Sequence, residues 1–377
     1  MSMIDNKKHI CLFIPTLDVG GAEAVIISIA NWLVSKDMIV DLVLLRKQGA
    51  MLDRVSPDVN LVSLNSNRLL TSIPKLVNYL RSRKPSVILS STTLVNIVTI
   101  FASLISFSKI RVVVTEVSNI CTSVKEHSKI NPTVSEFIIK FLMKILYKKA
   151  SVIIAVSKGS AKSLSEYLKI DINDICVIYN PVYSKNMIKL SRSPVHHPWF
   201  SNKNIPIILA VGRLSKAKGF DTLIDAFYRV RENRSARLII LGEGDCRREL
   251  EIKISYLNLD NDVSLPGYAD NPLAYMRNSN LFVLSSRREG FANVLVEALA
   301  CETPIISTNC LHGPSEILEN GRWGRLVEVD NPQELAKSII EELDKEHQSN
   351  LCRARKFSID IACELYYSVC FPERPIE

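Results

Sequence analysis

Two glutamates, Glu289 and Glu297, stand with seven residues between them in REGFANVLVEALA. The preceding run LFVLSS is apolar and strand-sized, RREGFAN is a polar loop, and NVLVEALA has helical character. Glu289 therefore belongs at the carboxyl end of a strand, and Glu297 one turn into the helix that follows. A carboxylate in such a place can accept hydrogen bonds from two neighbouring hydroxyls of a sugar. Asn293 is the expected N-cap. That leaves the amides of Val294 and Leu295 as donors for a phosphate at the helix start, with Gly290 and Phe291 in the same loop. A second reading is structural: both acids complement the helix dipole, for roughly 0.3–1 kcal/mol each.

The cations that would match such a site lie upstream. Arg213 and Lys218, in VGRLSKAKGFDTLIDAF, fall between a strand and a helix. A departing diphosphate needs two or more positive charges to offset its own; a solvated basic loop would use the same letters. Three glycine turns also end strands. Gly20 and Gly21 follow HICLFIP, Gly242 sits in LGEGD, and Gly267 with Tyr268 ends VSLPGY. Glycine lets a backbone approach a ligand, and a following helix start attracts phosphate. None of these is a G-x-G-x-x-G fingerprint or a P-loop, so each is equally readable as a tight turn.

The elements that must position these residues alternate. HICLFIP, MIVDLVLL, SVILSS, IRVVVTE, SVIIAVS and ICVIYNP read as apolar strands, with helical stretches between most of them. The pattern restarts with IILAVG, ARLIILG, VSLPG, LFVLSS and PIIST. Continuous apolar strands alternating with helices predict parallel sheets covered on both faces. Ligands in such sheets bind beyond the strands' carboxyl ends. The fold class is thus α/β, with two doubly wound Rossmann-like domains facing a cleft. The stretch SKNMIKLSRSPVHHPWFSNKNIP lacks periodicity and reads as the connection. Its His196 and His197 have no further metal ligands nearby in sequence. The expected division is 1–185, a linker over 186–205, 206–355, and a final helical segment over 356–377. DND at 260–262 reads as a surface turn rather than a metal site.

With 377 residues, 47% of them hydrophobic and only 13 of them glycine, the chain excludes disordered and collagen-like classes. Nine cysteines without a C-x-x-C read as reduced, mostly buried thiols of a cytosolic protein, not as a disulfide framework or zinc site. The basic N-terminal patch and short apolar run read as a first strand rather than a leader. Residues 85–108 carry no charge and are long enough to span a bilayer. Ser90, Ser91, Thr92, Thr93 and Asn96 interrupt them, so a buried strand and a buried helix are expected.

Charge is uneven. Residues 1–188 carry 23 Lys and Arg against 13 Asp and Glu, and the remainder 24 against 26. A basic half suits nucleic acid, anionic lipid or a phosphorylated substrate. KFLMKILYKK alternates lysines and apolar residues at helical spacing, as a membrane-surface helix does; an ordinary amphipathic helix has the same pattern.

Taken together, EGFANVLVE, ALACETPIIST, GPSEIL, GRLSKAKGFDTLIDAF, the early GGAE and IYNP resemble the retaining GT-B glycosyltransferases of family four, in order from about residue 10 to 340. The resemblance implies a C-terminal domain that binds a nucleotide-diphosphate sugar, most simply a UDP sugar. It also implies an N-terminal acceptor domain and a last helix crossing back to it. Glu297 would hold the ribose and Glu289 the transferred sugar. Arg213 and Lys218 would grip the diphosphate, helped by the backbone after Asn293 and at Gly20–Gly21. Transfer would retain the anomeric configuration, with no metal and no cofactor. The acceptor would be a polyprenyl-diphosphate-linked glycan of O-antigen or capsule type. The enzyme would sit at the anionic inner face of the cytoplasmic membrane, without nucleic acid. The competing classes are a sugar-nucleotide epimerase of the same fold and a non-catalytic basic binding protein. One departure stands out: Val117 occupies the place of a family histidine, leaving Glu116, Asn119 or His127 as candidate substitutes.

Overall fold

The computed structural model describes residues 8–117, 132–201, 204–347 and 349–373. The chain forms two compact units, Met1–Pro181 with Ile359–Glu377, and Val182–Ser358.

The first unit is built on a seven-stranded parallel sheet in the order β3-β2-β1-β4-β5-β6-β7. Its strands are β1 (His9–Phe13), β2 (Ile39–Leu44), β3 (Asn60–Ser63), β4 (Val87–Ser91), β5 (Arg111–Glu116), β6 (Val152–Ala155) and β7 (Ile175–Val177). Its helices are α1 (Gly21–Val34), α2 (Ile73–Arg83), α3 (Thr93–Ser106), α4 (Pro132–Leu146) and α5 (Lys158–Leu168). Successive residues of β1 serve opposite faces, as strand geometry requires. Cys11 and Phe13 join the layer of α2, α3, α4 and α5. Ile10 and Leu12 join the layer of α1. Ala362, Cys363 and Tyr366 of the last helix also join that second layer.

The second unit carries a six-stranded parallel sheet in the order β10-β9-β8-β11-β12-β13. Its strands are β8 (Ile207–Val211), β9 (Arg237–Leu241), β10 (Val263–Gly267), β11 (Leu281–Leu284), β12 (Ile305–Thr308) and β13 (Arg325–Val327). Its helices are α6 (Lys185–Ser191), α7 (Phe220–Asn233), α8 (Arg247–Tyr256), α9 (Pro272–Asn278), α10 (Asn293–Ala300), α11 (Pro314–Ile317), α12 (Pro332–Leu343) and α13 (Leu351–Ala354); α14 (Ile359–Cys370) returns to the first unit. Ile208 and Ala210 of β8 pack with α7, α8 and α12. This is the doubly wound order, with the direction in which strands are added reversing between β8 and β11.

Several details depart from the sequence expectation. The edge strands β3 and β13 arise from NLVS and RLV, too short and too polar to stand out as apolar runs. The stretch expected as a connection opens with α6, which packs on α9 and α10, and Asn271 Nδ2 donates to Leu190 O at 2.8 Å. Further along it, His197 Nε2 lies 3.2 Å from Ser264 Oγ, and the Arg237 guanidinium sits over the Trp199 ring. These contacts tie the segment to the second unit. In DND, Asp262 pairs with Arg231 at 2.9 Å and Asp260 accepts from Ser255 Oγ at 2.6 Å. The helix expected to be buried, α3, is buried over most of its length, and its exposed apolar residues, Phe101, Leu104 and Ile105, gather in its second half.

Candidate functional site

At the switch between β8 and β11, two loops leave the strands' carboxyl ends. The loop after β8 contains a one-turn 3-10 helix, Lys216–Lys218, and ends at Gly219 in the left-handed region, φ 61°. Only glycine fits there, because a Cβ would strike the carbonyl oxygen of Ser285 at the end of β11. That close approach brings Lys218 Nζ to 2.6 Å from Glu289 Oε1. Ser286 Oγ donates to the same oxygen at 2.6 Å, and Ser285 Oγ donates to Lys218 O at 2.9 Å. The lysine and glutamate side chains keep 25% and 10% of their exposure. They form a charged pair that solvent reaches but does not surround, where charge-assisted hydrogen bonds are strong. Burial, and then the charge of Glu289, push the nearby Cys310 thiol up to about 12.

Arg287 fixes these two loops to each other. Its Nε donates to Asp330 at 2.6 Å. Nη1 donates to Lys216 O at 2.7 Å and Asp221 at 2.8 Å, while Nη2 donates to Asp221 at 2.8 Å and Thr222 Oγ1 at 3.0 Å. All five donor hydrogens of the guanidinium are thereby used. Its own backbone N–H donates to Ala217 O at 2.8 Å. Burial raises the carboxyl of Asp221, but the bidentate bond and charge of Arg287 outweigh it and hold the pKa below its ordinary value. Neither Arg287 nor its partners stood out in the sequence. The arginine is one of two in RRE, and Asp330 lies 43 residues further on.

The remaining expected residues fall as follows. Arg213, just past β8, is exposed. Gly242 follows β9 with φ 138°, and a Cβ there would strike Gly212 O. Its N–H donates to Gly267 O at 2.8 Å, so two of the expected turns are joined through backbone. Tyr268, next to Gly267, is half-exposed. Phe291 is buried against Phe357, ring centroids 5.4 Å apart, and Gly290 is partly buried beside it. Lys218 and Glu289 are thus brought into contact, while the rest of the set is distributed over the carboxyl-end loops of β8, β9, β10 and β11.

The start of α10 corrects the expectation for Asn293. This residue is the first of the helix, and the N-cap position belongs to Ala292 in the left-handed region, φ 68°. The chain turns one residue early because Phe291 and Ala292 are buried and Gly313 packs against the Phe291 backbone. Of the two amides expected as free donors, that of Leu295 donates to Ala292 O at 2.9 Å. Leu295 is fully buried and Val294 partly so. Glu297 stays partly exposed between the buried Val296 and Ala298, and its charge follows burial in pushing the Cys301 thiol up to about 12.

In the first unit, Gly20 is the N-cap of α1 in extended conformation, and Gly21 is its first residue. The Glu23 carboxylate lies back over Gly20, where a Cβ would collide with it. A protein carboxylate therefore already meets this helix start. Glu116, at the carboxyl end of β5, is buried and accepts from Thr93 Oγ1 at 2.9 Å and Tyr147 Oη at 2.7 Å. Val117 is partly buried. Asn119 and His127, the other candidate substitutes, lie outside the described residues.

Two Rossmann-like units, each with the doubly wound strand order, define the GT-B fold, and the site lies at the switch point of the second. Residues 19–185 match Glycosyltransferase Family 4 and residues 192–356 match Glycosyl transferases group 1. The chain belongs to the GT-B glycosyltransferases of family-four type. It is 35% identical over 200 residues to the N-acetylgalactosamine-N,N'-diacetylbacillosaminyl-diphospho-undecaprenol 4-alpha-N-acetylgalactosaminyltransferase of Campylobacter jejuni, covering 53% of each chain. It is 28% identical over 166 residues to a lipopolysaccharide core biosynthesis glycosyltransferase of Rhizobium meliloti, covering 44% of this chain and 46% of that one. The chain spans about half the length of the curated relatives it matches. Among solved structures, HepE of Anabaena in complex with UDP-glucose superposes with a TM-score of 0.76 at 22% identity, covering 95% of this chain and 98% of that one.

Proposed function

We propose that this protein is a retaining glycosyltransferase. It moves a hexose or N-acetylhexosamine from a nucleotide-diphosphate sugar, UDP-linked, to a polyprenyl-diphosphate-linked glycan of O-antigen or capsule type. The carrying observation is the Lys218–Glu289 pair, set by Gly219 at the switch point of the second unit. Family membership supports the reaction class. The Campylobacter relative's diphospho-undecaprenol substrate supports the acceptor class, and HepE's UDP-glucose supports the donor class.

In this reading Glu289 has two tasks. It accepts hydrogen bonds from hydroxyls of the transferred sugar, and it holds the Lys218 ammonium in place before the donor arrives. Lys218 and the exposed Arg213 offset charge on the departing diphosphate, where preorganised cations act without reorganisation in the transition state. Glu297 accepts from the ribose hydroxyls. The leaving phosphate oxygen takes the acceptor proton on the front face, so the anomeric configuration is kept. The protein contributes orientation and electrostatics, and the reaction requires neither metal nor cofactor. Work on a lipid-linked acceptor places the enzyme peripherally at the inner face of the cytoplasmic membrane.

The test is incubation of the purified full chain with a panel of nucleotide sugars and a polyprenyl-diphosphate glycan, with the product's anomeric configuration read by NMR. Retained transfer is expected. Interconversion of the sugar on its nucleotide would instead indicate an epimerase. Glu297→Ala should raise the donor KM about tenfold or more, the loss of a hydrogen bond to a charged group; unchanged donor binding would refute the ribose assignment.

A further inference from the structure

α3 and α4 link parallel strands of one sheet and pack on the same face of it, so they run side by side in the same sense. Their inner residues fill the core: Val98 and Ala102 from α3, Met143 and Leu146 from α4. Their outer sides are apolar as well. Phe101 and Leu104 of α3 are exposed, and Phe107, which ends that helix in the left-handed region, is 89% exposed. On α4, Phe137 is 72% and Phe141 56% exposed, and Ile145 continues the stripe four residues on. Aromatic side chains left this open are unusual on a surface that meets only water.

The charges beside this stripe select what covers it. Lys144 and Lys148 follow the same four-residue spacing one step round from Phe141 and Ile145, and Lys149 is adjacent. All three are exposed. The descending ends of both helices point to the amino-terminal edge of the sheet, so Lys109, exposed just after α3, lies at the same end as Lys148 and Lys149. A second copy packed with its helices parallel to these would bring the lysines against each other. A water-facing helix would not keep three phenylalanines open. An anionic bilayer satisfies both features: rings enter the boundary between headgroups and acyl chains, and ammonium groups meet lipid phosphates. No helix among the described residues is long and apolar enough to cross a membrane, so this would be attachment to the surface.

We infer that the outer faces of α3 and α4 form the docking surface of the first unit for an anionic lipid bilayer, with Phe107, Phe137 and Phe141 inserted and Lys144, Lys148 and Lys149 at the headgroups. The inference deepens the reading of a lipid-linked acceptor and rests on it only for which membrane is met. The uncharged stretch at 85–108 takes part by presenting one side of its helix to lipid, without spanning it.

The test is flotation of the purified full chain with vesicles of phosphatidylglycerol and phosphatidylcholine, against vesicles of phosphatidylcholine alone. Binding to the anionic vesicles at low salt is expected. Phe107→Ser/Phe137→Ser/Phe141→Ser should weaken it about tenfold or more, through lost apolar burial. Lys144→Gln/Lys148→Gln/Lys149→Gln should weaken it about fivefold per charge removed, and only at low salt. The inference is overturned if the parent chain does not float with anionic vesicles, or if both variants float as the parent does. It is equally overturned if the phenylalanine variant abolishes a dimer seen by light scattering while vesicle binding is absent, because a second copy then covers the face. Protection of each variant by UDP against thermal unfolding is measured alongside. Protection that persists while flotation is lost separates this surface from the donor site, and loss of protection in the parent would count against the donor reading alone.

Discussion

The two units share one strand order but use their carboxylates differently. In the first unit, Asp41 is fully buried and held by Tyr79 Oη at 2.6 Å, Asn60 Nδ2 at 2.8 Å, His9 Nε2 at 3.0 Å and Arg83 at 3.2 Å. Glu116 is closed in by the hydroxyls of Thr93 and Tyr147, with Asn96 Nδ2 bonded to Thr115 O and to the same tyrosine oxygen. Asp41 thus meets four side-chain donors, and Glu116 meets one hydroxyl on each oxygen. In the second unit, Glu289 and Asp221 meet lysine and arginine on loops that solvent reaches. A buried carboxylate held by protein donors orders the fold around it. A paired carboxylate on a partly open loop can exchange its partner for a ligand. The difference sets Glu116, buried at a strand end of the first unit with a hydroxyl on each oxygen, apart from Glu289, the candidate for chemistry in the second.

The sharpest way to break this comparison is to remove the cation of the open pair. Lys218→Ala should lower kcat about 10²–10³-fold, the cost of losing one preorganised charge at a leaving group. Because Glu289 keeps Ser286 as a donor, thermal stability should change by less than about 1 kcal/mol. A variant as active as the parent would remove Lys218 from the reaction. Removal of the closed acid should do the reverse. Asp41→Asn leaves Arg83 without its anion and should destabilise by about 2–4 kcal/mol, read by urea unfolding, with kcat of the folded protein unchanged. Burial raises the Asp41 carboxyl, but hydrogen bonds from His9, Arg83, Tyr79 and Asn60 outweigh it and hold it well below the ordinary carboxylate range. Its contribution is therefore full above the unfolded value, roughly pH 4, and is lost as pH falls through the lower folded value. The parent's stability should drop across that acid range, and the variant's should drop less.

The alternation of apolar strands and helices was enough to read both doubly wound units, because a strand buried on both faces leaves a continuous apolar run. β3 and β13 were not legible, since edge strands only a few residues long carry polar side chains on an open side. Lys218 and Glu289 were legible as types at strand ends, but not as a pair. Their contact depends on Gly219 nesting under Ser285, a backbone approach that no spacing encodes. Asn293 looked like an N-cap because its residue type is the preferred one. Burial of Phe291 and Ala292 moved the turn by one residue. The exposed residues in the second half of α3 were not legible for a related reason: an uncharged run looks the same whether or not part of its outer side is left open.

The smallest of these effects would sharpen the comparison most. Arg287 touches neither member of the charged pair in the bonds described above, yet it ties Lys216 and Ala217 on one loop, and Asp221 at the start of α7, to the strand end that carries Glu289. If it acts by holding the loops in register, it is a positioning residue, and its planar fork is the property that matters. Lys in its place keeps the charge but cannot meet Asp221 bidentately while also reaching Asp330 and Lys216 O. Arg287→Lys should then lower kcat about tenfold with the donor KM within about twofold, a displacement that affects the transition state more than ground-state binding. Arg287→Ala should lose more, and millimolar guanidinium should restore part of its kcat while leaving Lys218→Ala unaffected. A purely structural arginine would instead lower the melting temperature in both variants, with kcat of the folded fraction preserved and no response to guanidinium. That outcome would move the second unit's arginine into the same category as the buried acids of the first.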